Sequence, residues 1–299
     1  MHTRSSIRNY LEYSIARVLL ASLAYGPRPA AERIARVYIW LLDKAVPRLR
    51  RVAMRNLEIA MPERSAGDRR AIADGVFRSI ARMMVCFARL PRISPDEVGQ
   101  WIRYDGYDHF TAALAKGRGV LFATAHLGNW EFSAYAHAMM SGPMHVVVRP
   151  LDNPLIDALV ESRRTASGNY MIQKKNFARG ILKALAANQA VGILIDQNTS
   201  LEEGVFVNFF GVPASANAGF AKLAARTGAA VIPGFALWSP EENRYVLKFY
   251  EPVEITGDLA ADTQRLHSQL ESVIREYPDQ WLWIHRRWKT RPPGSPPLY

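Results

Sequence analysis

The sequence predicts an α/β fold, a mixed central sheet flanked by helices on both faces, with a helical N-terminal membrane-associated extension. Three observations carry this expectation. Up to about residue 100 the apolar residues recur at helical spacing; from Gly119 onward, short apolar runs rich in β-branched and aromatic residues alternate with longer helical stretches; and the basic charge is concentrated at the two ends. The chain has 299 residues, 49% of them hydrophobic, enough to bury a large core and unlike the composition of a disordered protein.

The N-terminal elements follow in order. Residues 7–25 set Ile7, Leu11, Ile15, Val18, Leu19 and Ser22 on one side of a helix, interrupted by Arg8, Glu12 and Arg17. A membrane span needs roughly 20 apolar residues and a signal peptide a clean apolar run, so an interfacial amphipathic anchor fits better, with a tilted span next and a helix packed on the domain as the plain alternative. Pro27 and Pro29 end that element, and helices are expected at 30–45, 48–62 and 67–91. The last of these carries an apolar stripe of Ile72, Val76, Ile80, Met83, Met84 and Phe87, of which Met83, Met84 and Phe87 are candidates to line an apolar groove. Cys86 sits within it as the only cysteine, so no internal disulfide exists, its surroundings are those of a helix interior, and a reducing compartment is expected.

Strands are expected at 120–125, 145–148, 191–195, 205–210, 230–237 and 245–250, and helices at 130–140, 154–167, 177–188, 216–227 and 259–276. Several of these strands are wholly apolar, which implies a sheet covered on both faces. The division is thus 1–100, helical with a membrane-anchoring helix, and 101–299, the α/β core.

Charge narrows the partners. Residues 1–100 hold 18 Lys and Arg against 9 Asp and Glu, residues 285–299 hold 4 against none, and the stretch between holds 16 against 18, within a net charge of +11. Basic ends around a nearly neutral middle suit contact with an anionic surface. Nucleic acid is not expected, because no helix-turn-helix, zinc-ligand or ribonucleoprotein signature accompanies the charge.

The chemistry centres on Thr124-Ala-His126-Leu-Gly-Asn-Trp-Glu131-Phe. His126 follows an apolar strand at the edge where ligands collect in α/β sheets, Gly128-Asn129 provides the turn, and Asn129 is an N-cap that sets Glu131 in the first helical turn. Across such a corner the two side chains can meet. An alcohol is a poor nucleophile near neutral pH, so a neutral imidazole must take its proton as it attacks a thioester, and a carboxylate on the other ring nitrogen fixes the tautomer. A core histidine beside a first-turn acid is the plain alternative.

Those residues open a series of blocks: Val148-Arg-Pro-Leu-Asp-Asn153, Asp196-Gln-Asn, Gly204-Val-Phe-Val-Asn-Phe-Phe-Gly-Val-Pro-Ala214, Val231-Ile-Pro233 and Pro278-Asp-Gln-Trp-Leu-Trp-Ile-His-Arg-Arg-Trp288. In order and spacing the chain resembles the lipid A biosynthesis acyltransferases, the lauroyl and myristoyl transferases of the lysophospholipid acyltransferase superfamily. Their first motif, His-x-x-x-x-Asp/Glu, is occupied here by His126 and Glu131. The resemblance implies transfer of a fatty acyl group from an acyl carrier protein to a hydroxyl of a lipid A precursor, on the cytoplasmic face of the bacterial inner membrane, without metal or cofactor. It also implies that Asp196 supports the site, through an arginine; a turn-forming strand end is the plain alternative. Arg17 departs from the cleaner N-terminal apolar segment of many members.

Arg149, Arg163 and Arg164 are candidates to stabilise the oxyanion or to grip phosphate, with one of the adjacent pair expected in solvent because helical neighbours point about 100 degrees apart. The aromatics of 205–210 form a buried strand or line the acyl channel. Trp281, Trp283 and Trp288, beside His285, Arg286, Arg287 and Lys289, have the composition of a membrane interface, with core packing as the alternative. Lys174-Lys175 with Arg179, and Arg286-Arg287, are expected basic patches on the rim facing the carrier protein. The rival readings are a related enzyme that acylates another glycolipid or a glycerophospholipid from acyl-CoA, and a non-enzymatic membrane-binding protein.

Overall fold

The structure, a computed structural model, describes residues 5–173 and 177–299. Arg4, Lys174 and Lys175 lie outside them. Four helices open the chain: α1 Ser6–Ala24, α2 Arg28–Ala45, α3 Pro47–Ala60 and α4 Ala66–Arg89. Each boundary has a local cause. Prolines stand in the first turns of α2 and α3, and Ser65 caps α4 reciprocally with Asp68.

A short helix α5 Val98–Trp101 leads into β1 Ile102–Asp105 and α6 Tyr107–Leu114. Strand and helix then alternate through β2 Val120–Thr124, α7 Trp130–Met140, β3 His145–Val148, α8 Pro154–Thr165, β4 Tyr170–Gln173, α9 Phe177–Ala186 and β5 Ala190–Leu194. A hairpin of β6 Gly204–Phe209 and β7 Val212–Asn217 intervenes before α10 Gly219–Thr227, β8 Ala230–Ser239, β9 Arg244–Phe249 and α11 Leu259–Glu276. Among the described residues seven strands form one sheet in the order β1-β9-β8-β2-β5-β3-β4. From β8 to β4 all neighbours are parallel; β9 runs antiparallel to β8, and β1 parallel to β9.

Alternation along β2 divides the interior. Leu121 and Ala123 join Ile181 of α9 and Leu223 of α10 on one face, while Phe122 joins Phe110 of α6, Phe132 of α7 and Phe249 of β9 on the other. Covered on both faces, the sheet matches the expected architecture. Strands β1, β4 and β7 and helices α5 and α6 are additions to the expected elements, and α10 begins three residues later than expected because β7 occupies its proposed first turn.

The C-terminal tryptophans are core. Trp281, Trp283 and Trp288 are fully buried with Phe209 and Phe210, which overturns the membrane-interface reading of this segment. The same packing takes Phe209 and Phe210 away from any acyl channel, and Phe206 is exposed. Arg287 is equally buried, donating from Nη1 to the Ser215 carbonyl at 2.6 Å with its guanidinium over the Phe209 ring, so Arg286-Arg287 is not a rim patch. Burial pushes its pKa down to about 10. Cys86 is buried on α4, where desolvation pushes its thiol up to about 12 and leaves it inert, as expected.

Candidate active site

The parallel pair β2 and β5 ends with Thr124 beside Leu194. Two residues beyond each strand end stand His126 and Asp196, and the equal offset brings them together. The His126 Nδ1 lies 2.9 Å from Asp196 Oδ1, and the His126 backbone N–H donates to Oδ2 at 3.1 Å. Trp281 Nε1–H donates to the same Oδ2 at 2.9 Å. A carboxylate only accepts, so Nδ1 carries the hydrogen and Nε2 keeps its lone pair. No group among the described residues hydrogen-bonds Nε2.

This corrects one expectation. The carboxylate on the second ring nitrogen belongs to Asp196, not to Glu131, because the neighbouring ends of β2 and β5 set Asp196 against Nδ1 while Glu131 is engaged by Arg164. Asp196 therefore holds the histidine directly rather than through an arginine. Glu131 instead takes Arg164 in a two-point pair, Nε to Oε2 at 2.8 Å and Nη2 to Oε1 at 2.5 Å.

Local sequence explains the turn. Gly128 has φ 64°, and a Cβ there would lie 2.0 Å from the Ala236 carbonyl oxygen of β8. Its N–H donates to the Gln280 carbonyl at 2.9 Å, the Leu282 N–H donates to the His126 carbonyl at 2.9 Å, and Asn129 caps α7 through the Phe132 N–H at 3.0 Å. The segment around Trp281 thus straps the histidine loop while its indole fixes Asp196.

The electrostatics follow from this packing. Burial works against the charged imidazole of His126, but the Asp196 carboxylate, its hydrogen bond and the more distant Glu131 outweigh it, so the pKa stands above the ordinary value. Asp196 is fully buried; desolvation would raise it, yet His126, His285 and the Trp281 N–H hold it far below the usual carboxylate range.

His126 stands at the mouth of a cavity of about 550 Å³ that runs over one face of the sheet. Its walls are Phe122, Val146, Leu194, Leu247 and Phe249, with Met144 and Ala134. Glycines open the space: Gly192 lies beside Phe122 and Val146, and Gly234 faces Phe249 across β8 and β9. Trp130, packed edge-on to His126 with ring centres 5.0 Å apart, shares the mouth with Glu131, Arg149 and Arg164. Arg163 does not line it; burial, with the charge of Arg17 on α1, lowers the pKa of its guanidinium. Met84 and Phe87 pack against the buried clusters, Met83 lines a separate small hollow with Val76 and Trp130, and none of the three lines the larger cavity. Among the described residues no cluster of side chains could hold a metal ion.

Sequence reasoning missed the Asp196 contact and the strap formed by Trp281. The first was within reach, since two strands that each end in a polar group two residues on can meet if they are neighbours; the order of the strands was the missing fact. Nothing in the residues 280–282 signalled the second.

Comparison with known proteins places the chain in a family. The bacterial lipid A biosynthesis acyltransferase family model matches residues 1–290. The lipid A biosynthesis lauroyltransferase of Escherichia coli (strain K12) is 30% identical over 277 residues, 91% of this chain and 90% of that protein. The palmitoleoyltransferase of the same organism is 30% identical over 252 residues, 83% and 81% of the two chains. A phosphatidylinositol mannoside acyltransferase of Mycolicibacterium smegmatis is 27% identical over 205 residues, 67% and 66%. With a histidine–aspartate pair at the mouth of an apolar cavity and a family match along nearly its whole length, the chain belongs to the bacterial lipid A biosynthesis acyltransferase family and is an acyltransferase.

Proposed function

We propose that this enzyme moves a fatty acyl group from an acyl carrier protein to a hydroxyl of a lipid A precursor on the cytoplasmic face of a bacterial inner membrane, with His126 as general base. The observation that carries the reading is the free Nε2 of His126 at the mouth of an apolar cavity, its opposite nitrogen held by Asp196.

Nε2 takes the proton of the acceptor hydroxyl as that oxygen attacks the thioester carbonyl carbon. The carbonyl oxygen gains charge, and the carbon–sulfur bond then breaks as the carbonyl re-forms. The departing thiolate recovers the proton from the imidazolium, so no covalent enzyme intermediate is needed. Asp196 stabilises the imidazolium while it exists. Arg149, at the mouth and without an ion-pair partner among the described residues, is the group for the oxyanion. Glu131 serves by fixing Arg164 and adding its charge to the field at His126. The acyl chain occupies the apolar cavity, where each buried methylene contributes roughly 0.8 kcal/mol before binding costs.

Membrane attachment is supported by what faces outward. Ile7, Leu11, Ile15 and Val18 of α1 are exposed, as are Val37, Trp40, Leu41 and Leu42 of α2. Among the described residues no helix is long and apolar enough to cross a membrane, so the proposed attachment is interfacial.

Initial rates with matched acyl groups on carrier protein and on coenzyme A, each with a lipid A precursor and with a mannosylated phosphoinositide, test donor and acceptor together. Fastest transfer from the carrier protein to the lipid A precursor, weakening with salt, is expected. Faster transfer from acyl-CoA would overturn the donor, and preference for the phosphoinositide the acceptor.

A further inference from the structure

A second cavity, of about 510 Å³, adjoins the first. Gln197, the residue after Asp196, lines both. The remaining wall includes Arg48 and Leu49 of α3, Val46 just before it, and His285, Arg286 and Lys289 of the C-terminal segment. Three cations face this space, and its wall holds no Asp or Glu.

None of the three has an ion-pair partner among the described residues; Arg286 has only the Tyr299 ring, 5.6 Å from its guanidinium carbon. His285 uses Nδ1–H on the Leu282 carbonyl at 2.9 Å, and its Nε2, shut from solvent, has no hydrogen-bond partner. The segment that presents these groups is pinned at both ends. Asn56 donates to the His285 carbonyl at 2.6 Å, and the Thr290 N–H donates to Asn198 Oδ1 at 2.9 Å. Cations lining one hollow without a counter-charge repel one another, and their exposed guanidinium and ammonium donors are matched by an oxyanion that gathers them.

The surroundings say which molecule carries that anion. Val46 lines the cavity and closes the last turn of α2 through its N–H to the Leu42 carbonyl at 2.8 Å. That turn exposes Leu41 and Leu42. An apolar surface running into a cationic hollow matches an amphiphile with hydrocarbon tails and an anionic headgroup. An acidic carrier protein on the same cations is the competing occupant, and the donor KM distinguishes it. We propose that this second cavity is the acceptor's headgroup subsite, in which Arg48, Arg286 and Lys289 hold a phosphate and so bring the acceptor hydroxyl to Nε2 of His126. This rests on the reading of a lipid acceptor and a histidine base.

Two variants on separate elements test it in the full-length enzyme, Arg48→Gln and the double charge reversal Arg286→Glu with Lys289→Glu. Binding is measured to neutral nanodiscs carrying a phosphorylated glycolipid acceptor or the same lipid dephosphorylated. The wild type should bind the phosphorylated lipid about ten-fold tighter or more, and each variant should lose most of that preference. Equal wild-type binding to both lipids overturns the subsite whatever the rates. In the transfer assay the acceptor KM should rise about ten-fold in the charge-reversed variant while the donor KM does not follow. A rise in donor KM alone would assign the cavity to the phosphate of the donor's carrier arm or to the carrier protein, and so overturn the acceptor assignment. If the wild type shows the phosphate preference yet transfers to no acceptor, the acyl-transfer reading fails and the subsite stands.

Discussion

Asp196 accepts three hydrogen bonds, two from His126 and one from Trp281, inside a fully buried site. Desolvating a carboxylate is costly, and only this full set of donors with a neighbouring imidazole keeps it ionised. The consequence is a histidine with a fixed tautomer and a raised pKa. Because the base must be neutral, activity should fall as pH drops through a midpoint above the ordinary 6.5. The linked stability runs the other way. A pKa raised by folding means the pair stabilises the fold below the unfolded value and loses that contribution as pH climbs through the folded one. Asp196→Asn removes the charge but keeps the shape; it should slow transfer by about 10²-fold or more and move the acidic limb of the pH profile to lower pH. An unmoved limb would show that Asp196 does not set the histidine's proton affinity.

The site is made by elements that meet at one edge of the sheet. The β2 and β5 ends bring His126 and Asp196 together, and Gly128 lets the turn into α7 pass directly against β8. Gly128→Ala should therefore lose both activity and several degrees of Tm, since it meets a carbonyl at a left-handed φ; wild-type Tm and rate in that variant would contradict the described turn. Gly234 of β8 lines the apolar cavity. A Cβ on Gly234 would come within 3.1 Å of Phe249, so Gly234→Val should shift preference toward shorter acyl chains, read from competing donors of graded length. An unchanged length profile would remove the chain from this cavity. Here the sequence was legible in part. The apolar runs of β2, β5 and β8 and the Asn129 cap are written in residue type. Strands such as β1 Ile102–Asp105 and β4 Tyr170–Gln173 are four residues long and mixed in polarity, and pairing with β9 and β3, not local pattern, makes them strands. Strand order was equally hidden, and with it the Asp196 partner. Trp281 looked interfacial because aromatic and basic residues alternate there, whereas burial of Arg287 among the aromatics was not deducible from composition.

Across the molecule, charge and exposed apolar surface divide between two tasks. The outward residues of α1 and α2 form the proposed membrane face, and α1 is tied to the core where Asn153 at the start of α8 donates to the Asn9 carbonyl at 3.0 Å. Replacing Ile7, Leu11 and Val18 with Glu should release the enzyme from anionic vesicles in a flotation assay without unfolding it, because these side chains leave no core contact behind; full retention would move the attachment to other surfaces. The chemistry turns on one proposed step, transfer of the acceptor's proton to the free Nε2 of His126. Its most direct test is the single-turnover rate of transfer from a loaded acyl donor to the lipid acceptor by folded His126→Ala. A loss of about 10²- to 10⁴-fold with donor binding retained is expected, and a rate within a few-fold of the wild type would contradict the claim.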